Sequence, residues 1–336
     1  MSAADILSTE HGSAIKYGFY GRLKSGFPSQ LLVDATEICN LACVHCPHPS
    51  FKKSEHYAGR SLSLELNTKL VDEVRQHGQG QTLYIRYASN GEPLTLPQIY
   101  EMLEYAKRHS GVMVTLTTNG KLMVESRIER LLLAGVDVID ISLDAFSPEV
   151  YAKIRVGGNL LVTRANVLRL IALIRQHKAS TKVVVSYVEQ PLNAHETADF
   201  EGFWKSSGAD SVVIRRLHSC SGAKEDLAVQ RRSENAVTGQ RRPCLYPWER
   251  IVLNARGDLA FCPSDWVHGS VIADYRTTTI KEVWQGEFYR QLREAHLTNN
   301  YSCHGFCGQC PDWKSTRWPD EGRSYANMIE EFKALE

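Results

Sequence analysis

The chain has 336 residues, 43% of them apolar and 23% charged, which excludes a disordered chain, a collagen-like fibre and a coiled coil. Its 39 Lys and Arg nearly balance its 38 Asp and Glu, so we expect no nucleic-acid partner and no anionic membrane partner. Nine cysteines are an odd number and cannot all pair as internal disulfides.

The N-terminus has no basic start, and no run of about 18 apolar residues occurs in the chain. We therefore expect no signal peptide, no membrane span and a cytoplasmic protein. Thiols stay reduced in the cytosol, so nine cysteines suggest metal ligands or reactive thiols. Residues 1–30 are expected to form an N-terminal extension, with a helix packed on the domain that follows.

Short β-branched or apolar runs alternate with helical periodicity along the first two thirds of the chain. The predicted strands are 31–36, 83–88, 112–118, 138–144, 182–188 and 211–217. Helical spacing is clearest at 161–176, and Pro97 marks the first turn of a helix over 96–109. This α/β alternation predicts a partial (β/α)6 TIM-like barrel over 31–218, with an open doubly wound sheet as the alternative. Both arrangements collect ligands at the C-terminal ends of the strands.

The alternation ends after residue 217. A stretch rich in Arg, Gln and Ser makes 219–243 a predicted linker or mobile loop. Arg256-Gly257-Asp258 then separates two short apolar runs, which predicts a β-hairpin, and a helix is expected near 280–293. Residues 244–336 are therefore predicted to be a small cysteine-rich auxiliary domain of a β-hairpin and a helix.

Cys39, Cys43 and Cys46 form a Cys-x3-Cys-x2-Cys motif directly after the first predicted strand. Three thiolates can hold three irons of a four-iron cluster and leave the fourth iron open, as a catalytic centre requires. A structural zinc would need a fourth ligand, which His45 or His48 could supply. The spacing favours a cluster, and zinc is the alternative.

In this position the motif resembles the signature of the radical S-adenosylmethionine (SAM) superfamily. Ser89-Asn90-Gly91-Glu92-Pro93 resembles that family's Gly-Gly-Glu-Pro motif, with Asn90 in place of the first glycine. Thr117-Thr118-Asn119-Gly120 follows the third strand, and Ser142-Leu143-Asp144 ends the fourth. The resemblance covers about residues 30–217 and implies SAM-binding roles for eight residues: Asn90, Gly91, Glu92, Pro93, Thr117, Asn119, Ser142 and Asp144.

The physical chemistry of these residues suits those roles. A carboxylate such as Glu92 can bind an ammonium group, and Gly91 lets the backbone approach a ligand. Ser142 and Asp144 are expected on one side of the fourth strand. The resemblance further implies that a [4Fe–4S] cluster reduces SAM, with electrons from a flavodoxin or ferredoxin. The resulting 5′-deoxyadenosyl radical removes a hydrogen atom from an unreactive C–H bond.

A second cysteine set lies in the C-terminal region. Cys244 and Cys262 bracket the predicted hairpin, and Cys303, Cys307 and Cys310 repeat the Cys-x3-Cys-x2-Cys spacing. Four thiolates suit either a cluster or a structural zinc. The arrangement resembles the single-cluster "twitch" form of the SPASM auxiliary domain, which implies a second [4Fe–4S] cluster held by Cys244, Cys262, Cys307 and Cys310.

Cys220 and Cys303 are then unassigned, and each is either structural or a donor of a hydrogen atom; Cys303 in place of Cys307 as a ligand is a further alternative. Arg215, Arg216 and His218, at the end of the sixth strand, are candidates for substrate binding or proton transfer. A guanidinium is a poor base, which favours binding for the arginines.

Family resemblance makes the leading hypothesis a dehydrogenase acting on a secondary alcohol of a sugar, aminocyclitol or aminoglycoside-like substrate in natural-product or antibiotic biosynthesis. The alternatives are an epimerase with Cys303 or Cys220 as hydrogen donor, an enzyme that modifies a ribosomal peptide, and a zinc protein without turnover. About 30 residues before the first strand are few for a leader-peptide domain, which argues against the peptide reading.

Overall fold

The computed structural model describes residues 26–88, 90–236, 241–315 and 324–334, so the predicted N-terminal helix and Ser89 lie outside the described residues. Its strands form one sheet of nine, in the order β6-β5-β4-β3-β2-β1-β7-β8-β9. These are β1 (Gln30–Val33), β2 (Tyr84–Tyr87), β3 (Met113–Thr118), β4 (Val138–Ser142), β5 (Lys182–Glu189), β6 (Ser211–Arg216), β7 (Arg250–Leu253), β8 (Asp258–Ala260) and β9 (Val271–Asp274).

Helices follow most strands of the first two thirds of the chain, and further helices lie in the C-terminal region. They are α1 (His48–Phe51), α2 (Leu64–His77), α3 (Ile99–His109), α4 (Glu125–Leu133), α5 (Pro148–Ile154), α6 (Leu160–His177), α7 (Thr197–Ser207), α8 (Glu225–Ala236), α9 (Tyr246–Glu249), α10 (Ile280–Gln285), α11 (Glu287–Thr298), α12 (Gly305–Gly308) and α13 (Tyr325–Lys333). No helix among the described residues is long and apolar enough to cross a membrane.

Strands β1 to β6 are parallel neighbours, which confirms the six-stranded α/β partial barrel. Alternate residues of each strand, such as Val33, Tyr87 and Ile139, are buried in the core that the surrounding helices cover. The opposite faces line the barrel interior. There Tyr84, Met113 and neighbouring apolar residues pack against α13, which closes the N-terminal end of the barrel.

The C-terminal region extends the barrel sheet. Strand β7 pairs in parallel with β1, with Gln30 opposite Arg250, and β8 and β9 follow antiparallel. The predicted hairpin is therefore confirmed, and Gly257 occupies its turn at a φ of 89°. Glu73 of α2 fastens this region to the barrel, because its carboxylate accepts hydrogen bonds from Tyr275 Oη and the backbone N–H of Ile280, both at 2.8 Å.

Two sequence expectations differ from the structure. Residues 219–243, predicted as a linker or loop, contain α8, because Glu225 to Ala236 include no glycine or proline and begin with two acidic residues. The helix expected near 280–293 is two helices, α10 and α11, which separate at Gly286, where the backbone is extended.

Candidate active site

The Cys-x3-Cys-x2-Cys loop follows β1 and is held by its neighbours. The Glu37 carboxylate accepts the backbone N–H groups of Ala58 and Arg60 at 3.0 and 2.9 Å, and His48 Nε2 bonds the Glu37 carbonyl at 2.8 Å. These bonds fix the loop that carries Cys39, Cys43 and Cys46 at the C-terminal edge of the barrel.

The three thiols fit an iron–sulfur cluster. Burial raises the pKa of Cys39 to about 11 and that of Cys46 to about 12, and it also raises the pKa of Cys43. The charge of Cys43 adds to the rise at Cys39, and the charges of Cys43 and Cys39 add to the rise at Cys46. Buried neighbouring thiolates need a cation to compensate them, and a cluster's irons supply that charge.

The turn after β2 fits the same site. A Cβ on Gly91 would collide with the carbonyl oxygens of Thr36 and Ile38, so only glycine allows this turn to approach the cysteine loop. Asn90 Nδ2 bonds the Asp265 carbonyl at 3.2 Å, and Pro93 begins a 3₁₀ turn.

The Glu92 carboxylate, which the sequence predicts to bind SAM, is buried and accepts hydrogen bonds from other residues of the protein. It is 2% exposed, and its oxygens accept hydrogen bonds from Thr118 Oγ1 at 2.6 Å, from Asn119 N at 2.7 Å and from Leu94 N at 3.1 Å. Glu92 thereby joins the ends of β2 and β3. Asn119 Nδ2 also bonds Asn40 Oδ1 at 2.7 Å, whereas Thr117 Oγ1 faces the barrel interior and accepts a bond from Arg86 at 3.0 Å.

Asp144 does not alternate with Ser142 along a strand, as the sequence suggested. Strand β4 ends at Ser142, and Asp144 lies in the following turn with a φ of 61°. Its fully buried carboxylate forms an ion pair with Arg155, whose Nη1 also lies 3.6 Å from Cys43 Sγ. His45 Nε2 is 3.5 Å from the same carboxylate. No sequence motif marked Arg155, because its partners are 11 and 112 positions away.

The second set of cysteines gathers around one pocket, which Cys244, Cys262, Cys307 and Cys310 line together. Burial raises the pKa of Cys307 to about 12 and that of Cys310 to about 11. No three His, Cys, Asp or Glu side chains of the described residues are grouped for a single metal ion, but one shared pocket suits a multi-iron cluster.

The two unassigned cysteines lie in different places. Cys303 is exposed, and Ser302 Oγ is 3.9 Å from its sulfur. Cys220 is half-buried in a turn where Cys220, Ser221 and Gly222 have φ angles of 54°, 57° and 101°. Its pKa is raised chiefly by burial and next by the charge of Cys46. Cys220 is thus within electrostatic range of Cys46, and Cys303 does not line the four-cysteine pocket.

Asp312 holds the turn that contains Cys220. Its carboxylate accepts bonds from Ser219 N at 2.9 Å, Ser219 Oγ at 2.7 Å and Ser221 N at 2.8 Å. Ser221 Oγ in turn lies 3.5 Å from Cys262 Sγ. This turn therefore contacts the second cysteine set through Ser221.

The polar residues at the end of β6 separate into two groups. Arg215 faces the barrel interior, where its Nη2 bonds Asp140 at 2.7 Å and Ser186 at 3.0 Å. Arg216, the last residue of the strand, is exposed and lines the same cavity as Arg215. His218 Nδ1 accepts the backbone N–H of Cys220 at 3.1 Å, so its Nε2 carries the proton of the neutral ring. Burial lowers the pKa of His218, which favours that neutral form.

A cavity of about 450 Å³ occupies the barrel interior, a volume that suits a small molecule. Its walls include Arg86 and Arg215, and α13 contributes Tyr325. His218, Tyr246 and Asp312 line both this cavity and the four-cysteine pocket.

A partial barrel with a three-cysteine loop after β1 and a four-cysteine pocket beside its cavity defines a barrel enzyme with two iron–sulfur sites. Residues 33–200 match the radical SAM superfamily, and residues 244–311 match SPASM, an iron–sulfur cluster-binding domain. The chain belongs to the radical SAM superfamily, and it uses SAM and two iron–sulfur clusters.

Its relatives carry out different reactions. A probable GTP 3′,8-cyclase of Methanococcus maripaludis is 33% identical over 179 residues, 53% of this chain and 56% of the cyclase. The chain thus spans little more than half of that relative's length. The mycofactocin maturase MftC of Mycobacterium ulcerans is 27% identical over 325 residues, 86% of this chain and 82% of the maturase.

Solved structures show the same fold at low sequence identity. SuiB of Streptococcus suis, bound to the precursor peptide SuiA, has a TM-score of 0.62 at 15% identity and covers 94% of this chain and 76% of SuiB. BtrN, in complex with AdoMet and 2-DOIA, has a TM-score of 0.57 at 16% identity and covers 84% of this chain and 92% of BtrN.

Proposed function

We propose that this radical SAM enzyme oxidises a secondary alcohol of a small polar substrate held in the barrel cavity. The observation that supports oxidation is the wall of His218, Tyr246 and Asp312, which the substrate cavity shares with the four-cysteine pocket. A substrate in this cavity would lie next to a second redox centre.

The ligand sets belong to this proposal. Cys39, Cys43 and Cys46 would hold the [4Fe–4S] cluster that binds SAM, and Cys244, Cys262, Cys307 and Cys310 would hold an auxiliary [4Fe–4S] cluster. When bound, these groups supply a 5′-deoxyadenosyl radical that takes one hydrogen atom from the substrate carbon and an acceptor for the electron that remains. The hydroxyl proton passes to water, and a flavodoxin or ferredoxin supplies the electron that SAM requires.

The chain's own residues orient the substrate. Arg215 has no basic lone pair, so it binds rather than deprotonates. His218 uses Nδ1 for the Cys220 N–H and can donate Nε2–H to a substrate oxygen. Tyr246 and Asp312 complete the wall and separate the cavity from the auxiliary site.

Cysteine variants of the anaerobically reconstituted enzyme test this assignment. The wild type should contain about eight irons, whereas Cys262→Ala should keep about four and still form 5′-deoxyadenosine without the ketone product. Cys43→Ala should form no 5′-deoxyadenosine, and Cys303→Ala should match the wild type in iron and activity. A colourless zinc protein, or loss of iron in Cys303→Ala, would contradict the assignment.

Epimerisation is the second candidate, and the position of Cys220 favours it. The backbone N–H of Cys220 bonds His218, which lines the cavity, so the turn that contains Cys220 borders the proposed substrate site. Burial raises the pKa of the Cys220 thiol, which favours the protonated form that has a hydrogen atom to donate. In deuterated water an epimerase would give a product with one solvent deuterium and no ketone, and Cys220→Ala would abolish that product. A ketone without solvent deuterium at carbon supports the dehydrogenase instead.

Peptide modification is the third candidate, because SuiB and MftC resemble this chain over most of its length. A panel of sugars, aminocyclitols, nucleosides and short peptides, read out by 5′-deoxyadenosine formation, separates it from small-molecule chemistry. Stimulation by peptides alone would overturn the leading proposal.

A further inference from the structure

The barrel cavity is predominantly basic. Among the residues that line it, six are Arg or Lys, and three are Asp or Glu: Arg86, Arg215, Arg216, Arg231, Arg250 and Lys314 against Glu234, Glu249 and Asp312. The whole chain has a formal charge of only +1, so this excess is local to the cavity. A basic cavity attracts and holds anions.

Two of these arginines share one carboxylate in the barrel interior. Arg86 and Arg215 both form ion pairs with the single buried carboxylate of Asp140, at 2.9 and 2.7 Å. One carboxylate balances only one of the two guanidinium groups. Because a buried charge is costly unless it is paired, this arrangement is suited to a further negative charge from a ligand.

Polar atoms that lack partners lie in the same wall. Gln30 is 1% exposed, and its Nε2 has no hydrogen-bond partner among the described residues. Its Oε1 is already used, because Tyr84 Oη donates to it at 2.6 Å. Arg250 lies opposite Gln30 in the β1–β7 register; its Nη2 pairs with Glu249 at 3.1 Å, whereas its Nε has no partner in the described part of the chain. Both residues line the cavity.

Arg86 and Arg250 lie near one another around Tyr84. Gln30 is opposite Tyr84 in the β1–β2 register and opposite Arg250 in the β1–β7 register, and Arg86 follows Tyr84 by two positions on the same face of β2. The charges of Arg250 and Arg86 both act to lower the pKa of Tyr84, which burial raises. The Gln30 amide and two guanidinium groups thus surround one region of the cavity. Guanidinium and amide N–H groups together match the oxygens of a carboxylate or phosphate.

We propose that the substrate carries an oxyanion, a carboxylate or a phosphate, which binds beside Gln30, Arg86 and Arg250. This inference rests on the proposed function, because it takes the barrel cavity as the substrate site. It disfavours amine-bearing aminocyclitols and aminoglycosides, since a protonated amine would meet the excess of arginines. Sugar acids and sugar phosphates are the substrate class that fits.

Anaerobic calorimetry on the SAM-loaded holoenzyme tests the proposal with four matched probes: glucuronate, glucose 6-phosphate, glucose and glucosamine. At least one anionic probe should bind about tenfold more tightly than glucose, and glucosamine should bind no better than glucose. Preference for glucuronate identifies a carboxylate, and preference for glucose 6-phosphate identifies a phosphate.

Gln30→Glu is the most informative variant. It keeps an acceptor for Tyr84 but replaces the unpartnered amide with an oxygen, so anion binding should weaken about tenfold or more. Arg86→Gln is the second variant, because Asp140 keeps Arg215 as its partner. Arg108→Gln is the control, since Arg108 is a surface residue paired with Glu104.

The inference is wrong if neither anion binds, if glucose or glucosamine binds as tightly, or if Gln30→Glu binds the anion like the wild type. Its failure is separable from failure of the proposed function. If anions bind but no substrate gives 5′-deoxyadenosine, the anion site is supported and the proposed oxidation is contradicted. If the enzyme oxidises a neutral substrate, the proposed function is supported and the anion site is contradicted.

Discussion

At the scale of single residues, Arg155 joins the cysteine loop to the end of β4. Its buried guanidinium pairs with Asp144 and reaches Cys43. Arg155→Met would leave the Asp144 carboxylate buried without its cation, which should lower the free energy of unfolding by about 3 kcal/mol. Urea denaturation of the anaerobically purified protein measures this loss.

The control is Arg169→Met on the protein surface, where Arg169 pairs with Glu125. Solvent screens such exposed pairs, so its urea midpoint should stay at the wild-type value. Equal loss of stability in both variants would show that the Arg155 pair has no special role.

Gly91 is the second residue that admits a clear test. A Cβ at this position would meet two backbone carbonyl oxygens of the cysteine loop, which cannot move aside as a side chain can. Gly91→Ala should therefore displace the loop and reduce SAM-dependent 5′-deoxyadenosine formation at least about tenfold. Gly202→Ala is the matched control, because nothing lies within 4 Å of the added Cβ. This change in α7 should stabilise the protein by about 0.5–1 kcal/mol.

At the scale of elements, α13 closes the barrel with an apolar face. Phe332 is 6% exposed and belongs to the cluster that includes Tyr84, Met113 and Val184. Phe332→Ala should lower the free energy of unfolding by about 3 kcal/mol, because the barrel floor cannot collapse around the cavity. Lys333→Ala, at the exposed neighbouring position, should leave the midpoint of thermal unfolding unchanged.

The helices and strands could be predicted from the sequence where the periodicity of apolar residues was clear. The six parallel strands and helix α6 have clear periodicity, and each lies within a few residues of its predicted range. Helix α8 was missed because its polar composition looks like a loop, although its backbone has no helix breaker. The parallel pairing of β7 with β1 was also missed, since no local pattern reports a partner 220 positions away.

The candidate active site, like the fold, could be predicted from the sequence only in part. Cys39, Cys43 and Cys46 are close in sequence, so their spacing alone indicates their chemistry. Arg86, Arg215 and Arg250 come from three different strands, and only the folded partial barrel brings them to one cavity. Residues whose function depends on long-range packing carry no sequence motif of their own.

At the scale of the whole molecule, Glu73 couples the barrel to the C-terminal region. Burial raises the pKa of its carboxyl, so the folded protein holds this proton at a higher pH than the unfolded chain. The associated stabilisation is fully present below the unfolded pKa and is lost as the pH rises through the folded pKa. Glu73→Gln keeps one acceptor oxygen and removes the titration.

We therefore expect the free energy of unfolding of Glu73→Gln to vary less than that of the wild type as the pH rises from the ordinary pKa of a glutamate through the higher pKa of the folded protein. Urea titrations of both proteins at several pH values measure the difference. Glu65→Gln in the same helix, at an exposed position, should follow the wild-type profile. A steeper profile for Glu73→Gln would contradict the assigned direction.

The pairing of β1 with β7 also bears on how the protein is made. Gln30 lies beside Arg250, so the first strand acquires its second neighbour only after the ribosome has produced about three quarters of the sequence. Until then one edge of β1 exposes its backbone polar groups, while β1 to β6 can already associate. Closure of so long a loop is slow, so β1 keeps this exposed edge until the C-terminal region has been made and has docked.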